Sequence, residues 1–165
     1  MTLVRRYQAT VYDSNRWDGF ELRPGDIIIS TPPKCGTTWT QMICALLILQ
    51  EPELPLPLDT LSPWIDMVTR SRTEVFADLE AQTHRRFIKT HLPLDGLPYR
   101  EDLRYILVGR DPRDVFMSLW NHYRNYSPLV IKLVNEVPGR VGDPFPPCPD
   151  DIHELWSSWI SRGWF

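Results

Sequence analysis

Cysteine is scarce in this sequence and follows no pattern. Cys35, Cys44 and Cys148 make an odd count with no CxxC spacing. That argues against a disulfide framework or a zinc ribbon and suits a reducing, cytoplasmic compartment. No metal-ligand cluster stands out either, so no metal is expected. Long apolar runs are also missing. The longest, residues 42–49, has eight residues, against the roughly 20 that a bilayer-spanning helix needs. The opening residues carry Arg5 and Arg6 with no apolar stretch after them, so a secretory leader is not expected. An excess of positive charge is lacking too, since the formal net charge is −3. No global field draws the chain to nucleic acid or to an anionic membrane, and any anion site has to be local.

What is present is one domain's worth of ordinary soluble sequence. The 165 residues, 42% of them hydrophobic, are enough to bury a real core in a single domain over 1–165. Proline gathers in two places, residues 52–63 and 138–149. The second group has five prolines in twelve residues and reads as an extended connection.

Outside these groups strands and helices alternate along the chain. Residues 26–30 form a β-branched run after the turn signal Pro24-Gly25 and predict a buried strand. Trp39, Ile43, Leu46, Leu47 and Gln50 recur at helical spacing and predict a helix over 37–50, ended by Glu51-Pro52. A second helix is predicted over 72–82 with Val75, Phe76 and Leu79 inward, then strands over 86–90 and 105–108. Asp111 is a good N-cap with Pro112 at the first helical position and Asp114 at the third, which starts a helix running to about 126. Residues 127–137 read as its continuation, and 152–164 as an aromatic-rich amphipathic segment. This alternation predicts an α/β fold with a mainly parallel sheet. In such sheets ligands bind beyond the carboxyl ends of the strands, where the loops at 31–37, 89–93 and 109–112 all fall.

Each of those loops carries suitable chemistry. Thr31-Pro32-Pro33-Lys34-Cys35-Gly36-Thr37-Thr38-Trp39 joins a strand to a helix, where free backbone N–H groups and the helix dipole attract an anion. Gly36 lets backbone approach a ligand, Lys34 brings a full charge, and the Thr37 and Thr38 hydroxyls bond oxygen. The plainer reading is an ordinary helix start with a solvated lysine. Walker A order is not matched, because this lysine precedes its glycine. Trp39 reads equally as core or as a stacking platform for a base. In the second loop Lys89 precedes His91 by two residues, on one side of an extended chain. A neighbouring cation keeps imidazole neutral, as a general base requires. In the third, Arg110 and Ser118 are placed to share one phosphate, unless Arg110 simply pairs with Asp114.

Taken together, the stretch from Thr31 to Trp39, then Lys89-Thr90-His91-Leu92-Pro93, then Arg110-Asp111-Pro112-Arg113-Asp114-Val115 with Ser118, resemble the soluble sulfotransferase family. Ser62-Pro63-Trp64 looks like that family too. The resemblance runs from about Asp26 to Ser118. It implies a P-loop-like three-layer fold, a central sheet flanked by helices, and transfer of a sulfuryl group from 3′-phosphoadenosine 5′-phosphosulfate to a hydroxyl or amine. Lys34, Cys35, Gly36, Thr37 and Thr38 would hold the 5′-phosphosulfate, Trp39 would stack on adenine, and Arg110 with Ser118 would bind the 3′-phosphate. His91 would be the general base, supported by Lys89. Family members usually have serine where Cys35 stands, and beside Lys34 a lowered thiol pKa with redox sensitivity is a secondary expectation. They also run to nearly twice this length. The apolar end Trp164-Phe165 reads as cut off mid-element, so a fold incomplete at its C-terminus is expected. Pro57, Leu58, Trp64, Leu92 and Leu94 suggest a phenolic, steroidal or lipid-like alcohol as acceptor. The alternatives are a non-catalytic remnant that binds nucleotide or a protein through C-terminal aromatics (Trp156, Trp159, Trp164, Phe165), and a nucleotide kinase lacking the usual lysine order.

Overall fold

The computed structural model describes residues 5–162. Three short parallel strands form its sheet: β1 (Ile27–Ser30) in the centre, β2 (Phe87–Thr90) on one side and β3 (Arg104–Leu107) on the other. Ile28 lies opposite Ile88 on β2 and opposite Tyr105 on β3. Successive side chains leave opposite faces of a strand, so the two isoleucine sets feed two different cores. Ile28 and Ile88 pack under Trp17, Phe20, Val75 and Leu79. Ile27, Ile29 and Phe87 pack against Cys44, Ala45 and Leu61.

The first core is covered by the N-terminal segment and α3 (Arg72–Ala81), the second by α1 (Thr37–Leu49) and α2 (Leu58–Leu61). That makes three layers with the sheet in the middle. Val75 and Leu79 are fully buried, with Phe76 packed against them. The crossover from β2 to β3 is not helical. It is a loop with one 3-10 turn, Leu94–Gly96, held down by buried Leu92, Leu97 and Leu103. A third cluster joins α4 (Pro112–Arg124), α5 (Pro128–Asn135) and α6 (Ile152–Arg162) around Phe116, Trp120, Tyr123 and Phe145.

Asp111 caps α4 as expected, its carboxylate accepting from the Arg113 N–H at 2.9 Å, with Pro112 in the first turn. The predicted continuation over 127–137 is instead a separate helix. Ser127 caps α5 afresh and Pro128 opens it, and a proline there has no N–H to carry the previous helix on. The proline-rich segment 138–149 has no regular element, yet it is fastened: Asn135 and Phe145 bond each other twice, at 2.6 and 3.0 Å. The stripe that marks α1 in the sequence faces outward. Trp39 is 77% exposed and Leu47 68%, while Gln41 is buried and Cys44 and Ala45 meet the sheet. Trp156 and Trp159 do not form a free aromatic surface, because both pack on Phe116 with ring centroids 4.8 and 5.6 Å away. Trp164 and Phe165 lie outside the described residues. No helix among the described residues is long and apolar enough to cross a membrane.

Candidate functional site

Because all three strands are parallel, the loops that follow them emerge at one edge. The loop after β1 turns through two left-handed residues, Lys34 at φ 67° and Gly36 at φ 93°. A Cβ on Gly36 would meet nothing within 4 Å, so the demand for glycine there is conformational. Gly36 is also the N-cap of α1 and supplies no side-chain cap. The first-turn N–H groups therefore remain available to an anion. The Thr37 hydroxyl is buried and hydrogen-bonded to the Thr31 hydroxyl, which locks the loop's base.

The third loop crosses to the first. Arg110 Nη1 donates to the Lys34 carbonyl at 3.3 Å, and its Nη2 lies 3.7 Å from Asp114. Cys35 does not follow the expectation of an activated thiol. It is buried, and burial pushes its pKa up; the Arg110 side-chain charge and a hydrogen bond from the Arg110 backbone only oppose this.

His91 is fixed through Nδ1, 2.7 Å from the Thr31 carbonyl oxygen. A carbonyl only accepts, so Nδ1 carries the proton and Nε2 keeps its lone pair. The imidazole pKa falls to about 4, first from burial and further from the Lys89 and Lys34 charges, with the Thr31 bond opposing. The neighbouring lysine thus contributes as the sequence suggested, but desolvation leads. Lys89 is itself pushed down by burial, against the pull of Asp66 and Asp59. Its ammonium sits 4.6 Å above the Trp64 ring.

Under this pair lies a carboxylate that no motif in the sequence marks. Asp66 is fully buried and accepts from Trp64 Nε1 at 2.7 Å and Trp17 Nε1 at 3.3 Å. Burial lifts its pKa to about 6 despite those donors. No periodicity marks it, since Trp64 to Met67 is a turn in which the Met67 N–H bonds the Trp64 carbonyl at 3.3 Å.

Lys34, Gly36, Thr37, Thr38, Trp39, Lys89, His91, Arg110 and Ser118 line one cavity of about 690 Å³. Of the motif residues expected to bind nucleotide or act in catalysis, Cys35 alone is absent from that wall. The exposure of Trp39 disposes of its reading as core. The apolar side of the cavity is not the expected one. Trp64 contributes, but Leu92 is core at 1% exposed, and Pro57, Leu58 and Leu94 lie elsewhere. Val11 and the α5 residues Val130, Ile131 and Val134 supply it instead, together with His122 of α4.

Residues 24–157 match the family described as Sulfotransferase domain. A glycolipid sulfotransferase of Mycobacterium tuberculosis is 48% identical over 143 residues, 84% of this chain and 44% of that protein. Sulfotransferase 1 family member D1 of Mus musculus is 33% identical over 113 residues, 65% and 38% of the two chains. The chain thus spans less than half the length of these curated relatives. Mouse sulfotransferase SULT7A1 complexed with PAP matches at TM-score 0.63, covering 96% of this chain and 52% of that one at 21% identity. Retinol dehydratase in a complex with retinol and PAP matches at 0.59 and 22% identity, covering 92% and 49%. At such identities the likeness is one of fold.

Proposed function

The chain belongs to the sulfotransferase family, and on that premise we propose that it moves a sulfuryl group from 3′-phosphoadenosine 5′-phosphosulfate to the hydroxyl of an apolar acceptor. The carrying observation is the meeting of three separated loops around one cavity. Lys34 and the first-turn N–H groups of α1 offer one anion station, Arg110 and Ser118 another, with the exposed Trp39 ring on the same wall. That suits a nucleotide bearing charge at two ends.

His91 Nε2 takes the acceptor's proton as the acceptor oxygen bonds to sulfur and the bond from sulfur to the 5′-phosphate oxygen breaks. Lys34 compensates the charge left on that oxygen, as fixed cations do in phosphoryl transfer. Lys89 sustains a neutral imidazole. The apolar wall of Val11, Val130, Ile131 and Val134 favours a phenolic, steroidal or lipid-like alcohol, and three free thiols fit a cytoplasmic setting.

The test is transfer of labelled sulfate to a simple phenol, with calorimetry of 3′-phosphoadenosine 5′-phosphate alongside. Transfer above background in the wild type and background in His91→Ala is expected. Binding without transfer in both identifies a non-catalytic relative, and no binding by folded protein removes the reading altogether.

A further inference from the structure

Asp66 takes no part in the chemistry described above, yet most of its bonds lead toward residues that do. It is fully buried and does not reach the cavity wall, so it touches no substrate. Its two oxygens are divided between two indoles: Oδ1 accepts from Trp17 Nε1 at 3.3 Å and Oδ2 from Trp64 Nε1 at 2.7 Å. The Thr90 hydroxyl donates to the carboxylate as well. Both oxygens therefore serve as acceptors, which an amide cannot match, because its NH2 would face one of the indole N–H groups.

Two of these donors flank the catalytic pair. Trp64 holds the Lys89 ammonium over its face at 4.6 Å and meets the His91 ring edge-on, with centroids 4.6 Å apart. Thr90 stands between Lys89 and His91 in the chain, and its Oγ1 accepts from the Leu92 N–H at 3.0 Å. One hydroxyl thus ties the turn around His91 to the carboxylate. The negative charge reaches Lys89 too, helping it keep its proton against burial. Asp66 is itself held from outside the site, since the Asp13 N–H donates to its carbonyl at 2.8 Å. A buried network with every member bonded is rigid, and this one joins the N-terminal segment to both sides of His91.

We propose that Asp66 is a positioning residue of the transfer reaction, acting through Trp64 and Thr90 to fix where the His91 imidazole and the Lys89 ammonium stand. The proposal rests on the sulfuryl-transfer reading above and adds to it a group that never meets the substrate.

The experiment compares the wild type with Asp66→Asn, with Asp66→Asn joined to Trp17→Phe, and with Thr90→Val. Asp66→Asn should lower kcat for transfer to a simple phenol by about 10- to 100-fold and move KM and the affinity for 3′-phosphoadenosine 5′-phosphate by less than about twofold. Thr90→Val should do the same to a smaller degree. Removing the Trp17 donor lets the amide oxygen turn back to Trp64, so the double variant should regain kcat over the single one. NMR reads the same events without any transfer. The Trp64 indole N–H signal should shift in Asp66→Asn and return in the double variant, while the Lys89 ammonium should lose its proton at lower pH in both. Thermal melts confirm folding, and Thr90→Val carries the test should the changes at Asp66 unfold the chain. An unchanged kcat in a less stable Asp66→Asn, losses shared by KM and nucleotide affinity, or a double variant no better than the single one each reduce the carboxylate to a core fastener and overturn the proposal. A wild type that transfers no sulfate counts against the underlying activity instead. The indole and Lys89 signals then still decide the role of Asp66, which falls if neither moves.

Discussion

Trp64 stands edge-on to His91, with ring centroids 4.6 Å apart and planes at 80°. The same indole holds Lys89 over its face and is pinned through Nε1 by Asp66. One side chain therefore dries the imidazole and places its neighbouring cation. Trp64→Leu should let water reach His91, so that its pKa climbs from about 4 toward the ordinary ~6.5. An NMR titration of the ring checks this. An unchanged midpoint would mean that the drying comes from other walls of the cavity.

Asp66 and His91 oppose each other in the pH dependence of stability. Burial raises Asp66 from 3.8 to about 6 and lowers His91 from 6.5 to about 4. Between those limits the folded chain holds a proton on Asp66 that the unfolded chain has lost, so this group's contribution falls as pH rises. The unfolded chain holds a proton on His91 that the folded chain refuses, so this contribution rises with pH and is lost as pH falls from 6.5 toward 4. Each slope approaches ~1.4 kcal/mol per pH unit, and in the wild type the two nearly cancel. Asp66→Asn should expose the rising slope and His91→Phe the falling one. Urea unfolding across that window measures both. Profiles parallel to wild type in both variants would refute the pairing.

Much of this architecture was legible because it is local. The β-branched run before Thr31 makes β1, and Asp111 before Pro112 fixes the start of α4. Parallel strands then oblige their following loops to share an edge, which is why His91, Lys34 and Arg110 meet. Spacing finds a stripe on a helix without saying which stripe turns inward. In α1 the small Cys44 and Ala45 let the helix approach the sheet, and the Gln41 amide is satisfied by the Ser62 carbonyl at 2.8 Å. The bulkier Ile43 and Leu47 are left outside. The wall formed by Val11 with α5 joins residues more than a hundred positions apart, and no periodicity reports such a contact. The buried bond from Trp17 to Asp66 spans 49 positions and is illegible in the same way.

Arg86 and Asp26, at the entrances to β2 and β1, form a bidentate pair with side chains 1% and 2% exposed. Arg86 also donates to the Glu21 carbonyl at 2.9 Å and lies 4.9 Å over Phe20. Removing one partner strands a charge in the core. Arg86→Ala should cost about 3–5 kcal/mol, while the joint change Asp26→Asn with Arg86→Met should recover most of it. Urea denaturation of the wild type, Asp26→Asn, Arg86→Met and the double variant gives the coupling. Additive losses would mean that the pair acts only through packing.

Arg110 has two weak partners in this structure, the Lys34 carbonyl and the exposed Asp114 carboxylate. An exposed pair of that kind is worth about 0–1 kcal/mol, whereas a charge-assisted bond to phosphate is worth about 1.5–3 kcal/mol. The guanidinium should therefore leave Asp114 when a phosphate arrives. Arg110→Ala is expected to weaken 3′-phosphoadenosine 5′-phosphate by about 10- to 100-fold. Arg110→Lys should restore little, since an ammonium cannot reproduce the planar fork. Asp114→Asn should tighten binding less than about fivefold. Adenosine 5′-phosphate, which lacks the 3′ group, should be indifferent to all three substitutions. That comparison separates the two ends of the ligand: if Arg110→Ala weakens both nucleotides equally, the arginine serves the 5′ end and the orientation of the nucleotide across the cavity is reversed.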